Sequence, residues 1–348
     1  MDNSAFYLIL AGGIGERLWP LSTIKKPKQL LCLFDEKSLL RHTFERLLPL
    51  TDATHIYVST AKSQKSLICK ELPEVPLKNI FVEPIPKNTA AAIGYCATCL
   101  SHINENAMMV VLPADHYISD ETKFQKAILS CFPAASKKKI VTMGIVPNAP
   151  ETNYGYIKVS QIVENTICPA LCFKEKPDEQ TAVHYLMTGQ FLWNSGIYIF
   201  SISTIESSFK QYMPSYYQAF KTLSFPPKEN EIQNVFASFN NISIDYGIME
   251  KAQNIDVLAV NFGWSDVGNF LSYGSLLPSD HYNNHSKNSL YYVKDSSNNI
   301  IALTKKIEVS LLGVDNLLIA FSGNRLLVCN KNEIGFLREV SKTKIRKK

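Results

Sequence analysis

A glycine-rich turn near the N-terminus has the residue types of a phosphate-binding loop. Gly12, Gly13 and Gly15 follow the short apolar run of residues 6–10, and glycine lets the backbone approach a ligand without a Cβ in the way. Successive N–H groups in such a turn form an anion-binding concavity. The turn therefore favours a polyphosphate ligand, with a plain tight turn as the alternative that it leaves open. Positive charges follow at Arg17, Lys25, Lys26 and Lys28.

The spacing of these glycines excludes two common nucleotide-binding motifs. A dinucleotide fingerprint needs G-x-G-x-x-G, and its third glycine would fall at Leu18. A Walker loop needs Gly-Lys-Ser/Thr, and no such triplet follows the glycines. If this turn binds a nucleotide, it must belong to another type of nucleotide-binding motif.

Two aspartates end apolar strands, where open α/β sheets bind their ligands. Asp115 ends "MMVVLPADH", and Asp266 lies in "VNFGWSDVG". Two carboxylates at one crevice can hold Mg²⁺, which prefers oxygen ligands and keeps water and substrate phosphate in its shell. Each aspartate alone could equally cap a turn. The sequence predicts a magnesium site only if the two side chains meet.

A second polar group lies in the middle of the chain. "FKEKPDE" places Glu175 and Lys176 at a strand end, and "NSGIY" places Asn194 before a glycine. A lysine there could neutralise a phosphate, and a carboxylate or an amide could bind sugar hydroxyls. An exposed salt bridge and a simple turn are the alternatives. His116 beside Asp115 has no further support as an acid or base.

The elements that must position these residues alternate along the first half of the chain. Two helical patterns separate strand-like runs, one behind a Ser38 cap and one beginning at Asn88 or Thr89. The alternation predicts an α/β fold with a Rossmann-like, mixed and mostly parallel sheet covered by helices. The strand-like runs are Phe6–Leu10, His55–Ser59, Asn79–Val82, Met108–Leu112 and Ile140–Gly144.

The second half of the chain changes character twice. From about Asn153, the aromatic runs "YGYIKVS" and "WNSGIYIFS" flank a helical segment at 178–188 and predict an inserted layer facing the substrate. After about His281, five short β runs with turn residues between them predict a small C-terminal β domain or a short β-helix. We therefore expect a catalytic domain at 1–280 and a β appendage at 281–348.

Composition limits the function classes. The 348 residues are 46% hydrophobic and 19% charged, with a formal net charge of +5, which suits an anionic small substrate and does not require nucleic acid. The absence of a long apolar run or basic leader predicts a cytoplasmic protein that does not bind a membrane. The eight cysteines are scattered, which favours reduced thiols over disulfides or a zinc site.

Nine short motifs occur in one order, and together they resemble the sugar-1-phosphate nucleotidyltransferases, most closely the bacterial mannose-1-phosphate guanylyltransferases. The resemblance runs from Leu8 to about Gly268, and "RLWP" followed by Lys28-Gln29 is similar to the GDP-mannose branch. Ile14 and Thr23 depart from the family pattern. The motifs are "LAGGIGERLWPLS", "PKQLL", "EPIPKNTAAAI", "VLPADH", "NYGYIKV", "FKEKPD", "WNSGIYIF", "SIDYGIMEKA" and "GWSDVGN".

The resemblance implies the nucleotide-diphospho-sugar transferase fold and a role for each matching residue. The implied catalytic residues are Arg17, Lys28, Lys176, Asp115 and Asp266, with Asp115 and Asp266 as Mg²⁺ ligands. The implied sugar-binding residues are Gly155, Glu175, Lys176, Asn194 and Asp266. The implied nucleotide-binding residues are Leu10, Ala11, Gly12, Gly13, Gly15, Arg17, Lys28, Glu83, Asn88, Thr89 and Asp115.

The activity implied by the resemblance is transfer of GMP from GTP to α-D-mannose 1-phosphate, giving GDP-mannose and pyrophosphate, with Mg²⁺ as cofactor. Longer family members carry a phosphomannose isomerase domain, and we expect a short form with a single activity. Two alternatives stay open: another base or sugar, and a non-catalytic relative that binds a sugar nucleotide. We expect no nucleic-acid or membrane partner, and a homodimer is one option for the assembly.

Overall fold

The computed structural model describes residues 5–287 and 292–342. Its strands are β1 Ala5–Leu10, β2 Ile56–Ala61, β3 Ile80–Glu83, β4 Met108–Pro113, β5 Tyr117–Ile118, β6 Ile140–Ile145, β7 Gly155–Lys158, β8 Ile167–Pro169, β9 Cys172–Glu175, β10 Phe191–Ser201, β11 Ile255–Val260, β12 Trp264–Ser265, β13 His285–Ser286, β14 Tyr292–Lys294, β15 Ile300–Leu303, β16 Ser310–Leu312, β17 Leu317–Ser322 and β18 Arg325–Asn330. Its α-helices are α1 Leu39–Leu47, α2 Lys65–Glu71, α3 Asn88–Ser101, α4 Glu121–Ala135, α5 Glu179–Thr188, α6 Ile202–Tyr212, α7 Pro214–Phe220, α8 Glu229–Ser238, α9 Phe270–Gly274 and α10 Leu337–Lys342.

The chain divides into two compact units. The first contains the described residues of 1–12, 44–114 and 118–264, and the second those of 13–43, 115–117 and 265–348. Gly13 and Gly15 of the glycine-rich turn therefore group with the C-terminal strands, whereas Gly12 belongs to the first unit. The predicted domain boundary at residue 280 stays a prediction.

A ten-stranded mixed sheet forms the centre of the first unit, in the order β3-β2-β1-β4-β10-β6-β11-β8 with β7 and β9 attached beside β10. β1 pairs in parallel with both β2 and β4, and β6 pairs in parallel with β11. The strands β1, β4 and β6 are buried apolar runs, as expected for a sheet that is covered on both faces. The α/β fold with a mostly parallel sheet is confirmed.

The aromatic strand β10 lies inside this sheet, antiparallel to both β4 and β6. The prediction of an inserted layer facing the substrate was wrong for this run, because it pairs on both edges with strands of the central sheet and most of its side chains are buried. The register of β10 shifts between Asn194 and Tyr198, and Gly196 in that bulge has φ +69°. A bulge of this kind turns side chains toward a site.

The starts of the helices follow their sequence signals in two cases out of three. The Ser38 hydroxyl accepts from the Arg41 N–H at 3.0 Å, so the predicted cap is confirmed. The helical segment predicted at 178–188 is also found, as α5, and the Asp178 carboxylate caps it by accepting from the Thr181 N–H at 2.8 Å. The cap predicted at Asn88 or Thr89 was wrong. α3 begins at Asn88 itself, with no side-chain cap.

The second unit is built on short parallel strands. β13, β15 and β17 pair in parallel, β14 pairs in parallel with β16, and β18 folds back antiparallel on β17. All five predicted C-terminal β runs contain a strand, although residues 290–291 of the first run, 290–295, lie outside the described residues. The hydrophobic core of the second unit contains residues from the N-terminal loop and from the C-terminal strands. The loop supplies Leu18, Leu21, Leu31 and Leu33, and the strands supply Ile300, Ala302, Leu318 and Ala320.

An asparagine ladder stacks successive turns of this unit. The Asn283 amide donates to Asn298 at 3.2 Å, that of Asn298 to Asn316 at 3.2 Å, and that of Asn316 to Asn330 at 3.1 Å. The first three members have φ values of 61°, 55° and 57°. Asparagine tolerates this left-handed conformation better than other non-glycine residues. Beneath the ladder, the fully buried Asn299 bonds Asn284, Val314 and Leu317.

Within the described part of the chain, no helix is both long enough and apolar enough to cross a bilayer.

Candidate active site

The glycine-rich turn of the second unit is closed around a buried lysine. The Lys28 N–H donates to the Ile14 carbonyl at 3.0 Å, and the Gln29 amide donates to the Gly13 carbonyl at 3.1 Å. Gly15 has φ +75°, and a Cβ on it would lie 2.3 Å from the Lys28 Cβ. Only glycine meets both demands at this position, because the conformation is left-handed and the neighbouring atom belongs to the stem of the lysine.

The Lys28 ammonium joins the two predicted metal-ligand positions. Its Nζ lies 2.8 Å from the Asp115 Oδ2 and also donates to the Asp266 carbonyl. The side chain of Lys28 is 8% exposed and that of Asp115 is 31% exposed. Burial opposes ionisation of Asp115, yet the Lys28 charge and the His116 ring outweigh it and hold the pKa of the Asp115 carboxyl below its usual value.

Backbone strain marks the turn that carries Asp266. Val267 is fully buried with φ +47°, which is rare for a β-branched residue. The Gly268 N–H donates to the Asp266 Oδ1 at 2.8 Å and fixes that carboxylate. Strained backbone of this kind clusters at functional sites.

Arg17 lies in the same unit as Lys28 and the two aspartates. It is exposed, in a 3₁₀ turn spanning Glu16–Leu18, and forms no ion pair within the part of the chain that the structure describes. Its guanidinium can therefore grip phosphate oxygens without giving up a protein partner.

The oxygen atoms near Lys28 are suitable ligands for a magnesium ion. An ionised Asp115 carboxylate and the oxygens of Asp266 are hard ligands, and Mg²⁺ is commonly held by one or two carboxylates together with substrate phosphates. No cluster of three or more His, Cys, Asp or Glu side chains suited to a metal occurs among the described residues. The remaining ligands would have to come from substrate and water.

Four of the predicted nucleotide-binding residues, Leu10, Ala11, Gly12 and Glu83, lie at the ends of β1 and β3 in the first unit. Leu10 ends β1, and its carbonyl accepts from the Ala114 N–H at 3.0 Å. Ala11 is held by Ser59 and Thr60 through its N–H and carbonyl. A Cβ on Gly12 would lie 3.4 Å from the Glu83 carboxylate, so the structure brings Gly12 and Glu83 together.

Glu83 is a buried carboxyl in this region, 7% exposed. The Ser59 hydroxyl donates to its Oε1 at 2.8 Å. Burial raises the pKa of Glu83, and the Ser59 hydrogen bond offsets part of that rise.

A pocket of about 680 Å³ in the first unit collects another four of the predicted residues. Lys176 contacts the Glu175 carboxylate and has φ +47°. A Cβ on Gly155 would lie 2.5 Å from the Glu175 Oε2 and 3.4 Å from the Asn194 Cβ, so Gly155 leaves room for both side chains. The predicted residues that line the pocket are Asn88, Thr89, Glu175 and Lys176.

The structure therefore groups the predicted residues by unit. Gly13, Gly15, Arg17, Lys28, Asp115 and Asp266 belong to the second unit, and Leu10, Ala11, Gly12, Glu83, Asn88, Thr89, Gly155, Glu175, Lys176 and Asn194 to the first.

Sequence reasoning missed several residues that line the pocket. Asp245, Tyr246 and Lys251 line it, and Asp245 begins a π-helical turn, Asp245–Met249. These residues lie within "SIDYGIMEKA", which the resemblance contained but to which it gave no role. Nothing in hydrophobic periodicity indicates a π turn, so the motif was the available signal.

A comparison with known protein families gives the class to which this chain belongs. The "Nucleotidyl transferase" family profile matches residues 7–281. The chain belongs to the nucleotidyl transferase family.

Individual relatives confirm the narrower resemblance to mannose-1-phosphate guanylyltransferases. The chain is 35% identical over 342 residues to a Salmonella muenchen protein of that name, covering 96% of this chain and 72% of the relative. It is 34% identical to a mannose-1-phosphate guanylyltransferase from Salmonella typhimurium, covering 96% and 71%. A solved structure from Thermus thermophilus, described as a mannose-1-phosphate geranyltransferase, matches with a TM-score of 0.88 and 32% identity, covering 97% and 98%.

Proposed function

We propose that this enzyme transfers GMP from GTP to α-D-mannose 1-phosphate and releases pyrophosphate. The observation that carries the chemistry is the Lys28 ammonium, held between the Asp115 carboxylate and the Asp266 carbonyl behind the glycine-rich turn. The choice of guanine and mannose is supported by the names of relatives that match nearly the whole chain.

The obstacle to this reaction is charge repulsion, because both the attacking phosphate and the triphosphate are anions. The nucleophile needs no strong base. Arg17 and Lys28 would bind the triphosphate, and Lys176 would bind the sugar phosphate, so that preorganised positive charge lowers the repulsion and holds the reacting groups in line. Glu175 and Gly155 would shape the acceptor pocket.

We propose Mg²⁺ as the cofactor, with Asp115 and Asp266 as its protein ligands. A bound Mg²⁺ would supply further positive charge to the phosphates. The protein's part is to keep Asp115 ionised through Lys28 and His116, and to fix the Asp266 carboxylate through the Gly268 N–H.

An activity assay distinguishes the proposed function from two alternative functions. Another base or sugar would leave the same phosphate chemistry in place, and the structure offers no geometry that favours it. A non-catalytic relative could lose its charged residues, yet this chain keeps Arg17, Lys28, Asp115, Lys176 and Asp266. We also retain the cytoplasm and a homodimer as predictions for this enzyme.

The decisive experiment measures pyrophosphate release with four nucleoside triphosphates and several sugar 1-phosphates, with and without Mg²⁺. We expect the highest rate with GTP and mannose 1-phosphate, and loss of turnover without Mg²⁺. Asp266→Asn should keep the fold and lose about 10²- to 10³-fold in rate, as a lost electrostatic contact does.

The matched control is Asp295→Asn, an exposed aspartate with φ +48° in the same unit. It should retain full activity, since asparagine tolerates this conformation. Near-normal turnover of Asp266→Asn would remove Asp266 from the metal site. A higher rate with another triphosphate or sugar phosphate would overturn the proposed specificity.

A further inference from the structure

The amide of Asn194, predicted from the sequence to bind sugar, makes four hydrogen-bond contacts inside the protein. Its Oδ1 accepts from the Thr142 hydroxyl at 3.2 Å and the Gly196 N–H at 3.1 Å. Its Nδ2 donates to the Tyr198 hydroxyl at 2.9 Å and the Asp245 Oδ1 at 3.2 Å. A side-chain amide has two donor hydrogens and two acceptor lone pairs. Both donors are used, and Oδ1 accepts the Gly196 N–H and shares the one Thr142 hydroxyl hydrogen with the Ile197 carbonyl at 3.0 Å, so Asn194 could donate to a sugar only by giving up one of these bonds.

Two of those bonds lead to one carboxylate. The Asp245 Oδ1 accepts from both Asn194 and the Tyr198 hydroxyl. Tyr198 is 2% exposed, and burial together with the Asp245 charge raises the pKa of its phenol. The phenol therefore keeps its proton and remains a donor across the physiological range.

Backbone contacts hold the segment around Asp245 against α3. The Ile244 N–H donates to the Thr89 hydroxyl at 2.8 Å, and the Ala90 N–H donates to the Ile242 carbonyl. With the two side-chain bonds, these contacts fix Asp245 at the start of its π-helical turn. Such turns occur frequently at functional sites.

The other oxygen of the Asp245 carboxylate faces a different situation. Asp245 lines the 680 Å³ pocket together with Glu175 and Lys176. Its Oδ2 has no donor among residues 5–287 and 292–342. A carboxylate held rigidly by one oxygen, with the other left at a polar pocket, suits a ligand hydroxyl because it accepts charge-assisted hydrogen bonds. A ligand phosphate is disfavoured there by like charge and is better placed at Lys176 or Lys251.

We propose that Asp245 binds a hydroxyl of the sugar phosphate acceptor, and that Tyr198 and Asn194 are positioning residues that orient its carboxylate. This inference deepens the proposed function and rests on it for the identity of the acceptor as a sugar phosphate. It assigns the sugar contact to the wall of the pocket formed by the π-helical turn.

The test is a double-mutant cycle between the protein and the sugar. KM for the acceptor is measured for the wild type and Asp245→Ala, each with the natural sugar phosphate and with its monodeoxy analogues. Asp245→Ala should raise the acceptor KM about 10- to 100-fold, the usual effect of losing a hydrogen bond to a charged group, and leave the nucleotide KM within about twofold. For one analogue the two losses should not add, because the contact is already gone.

Further variants separate binding from folding. Asp245→Asn keeps the volume and can still accept from Tyr198, so its thermal midpoint should stay near that of the wild type while the acceptor KM rises. Tyr198→Phe should raise the acceptor KM less, since Asn194 still holds the Asp245 Oδ1. Tyr273→Phe deletes another buried hydroxyl, bonded to the Leu33 carbonyl at 3.1 Å, and should leave both KM values unchanged.

Losses that add for every deoxy analogue would overturn the proposal, because a structural role alone would predict additivity. The acceptor is whichever sugar phosphate the wild type uses, so a failed mannose assignment leaves this test intact. If the wild type releases no pyrophosphate, the proposed function fails, and the same cycle is run by calorimetric binding of the sugar phosphates. Coupling there supports the Asp245 contact, and additive losses or absent binding overturn it.

Discussion

At the scale of single residues, the buried carboxyl of Glu83 carries a measurable cost. Burial raises the pKa of Glu83, so the native state binds the proton more tightly than the unfolded chain does. Below the unfolded value of about 4.5 both states are protonated and no cost arises. As pH rises through the native pKa, the carboxylate ionises in an unfavourable setting and stability is lost.

Glu83→Gln should therefore be more stable than the wild type at pH 7, and the difference should vanish below about pH 4. Glutamine still accepts the Ser59 hydrogen bond and carries no charge. For a chain of this length, a gain near 1 kcal/mol corresponds to a rise of about 1–2 °C in the thermal midpoint, read by calorimetry across the pH range. Glu164→Gln, at an exposed position, is the control and should show no such trend. A pH-independent difference for Glu83→Gln would contradict the argument.

The residue types of the candidate site were readable from sequence because their chemistry is local. Glycines after a strand, and aspartates and a lysine at strand ends, predicted phosphate and cation binding before any contact was known. The pairing of Lys28 with Asp115 was not readable, since it joins positions far apart in the chain. Asp245 was missed for the same reason, because its role depends on contacts with Asn194 and Tyr198 of the distant strand β10.

At the scale of elements, the asparagine ladder separates a backbone contribution from a side-chain contribution. Asn316 has φ +57° and bonds Asn298 above and Asn330 below. Asn316→Ala loses both side-chain bonds and also places a Cβ in a left-handed conformation. Asn316→Gly loses the same bonds without that steric cost.

We expect both variants to be destabilised, with the alanine variant the less stable by about 1 kcal/mol. Urea unfolding followed by circular dichroism measures the difference. Gly313→Ala, at φ +60° with nothing within 4 Å of its added Cβ, isolates the left-handed cost alone and should lose a similar amount. Equal stability of the two Asn316 variants would mean that backbone conformation contributes nothing at this turn.

Most elements were predictable, and the exceptions have a physical cause. Apolar runs with turn residues between them gave the strands of the first half and the five C-terminal runs. The place of β10 could not be read, because a buried aromatic run has the same pattern whether it lies within a sheet or over it. α3 begins at Asn88 as predicted, but Asn88 does not cap it, since this residue adopts φ +68° and its side chain bonds the next N–H.

At the scale of the whole molecule, neither compact unit is a continuous stretch of chain. The backbone passes from one unit to the other five times, after residues 12, 43, 114, 117 and 264. Each unit consists of three chain segments, and segments of the other unit separate them along the sequence. We therefore expect one cooperative unfolding transition rather than two.

The three tryptophans make this expectation testable, because Trp19 lies in the second unit and Trp193 and Trp264 in the first. Trp19→Phe leaves a fluorescence signal from the first unit alone, and the double variant Trp193→Phe/Trp264→Phe leaves one from the second. Each signal should give the same urea midpoint as the circular dichroism of its own variant. A Trp19 signal with a separate midpoint would show independent unfolding of the two units.

The overlap between a side chain at position 15 and the stem of Lys28 has a consequence for how this loop can vary. A Cβ at position 15 would meet the first carbon of the lysine side chain rather than its flexible end, so a shift of the ammonium group alone relieves nothing. Replacement of the lysine by a smaller residue would relieve the crowding but remove the cation beside Asp115. Selection for turnover in a randomised library should consequently fix these two positions jointly, while the exposed residues 24–26 between them are free to vary.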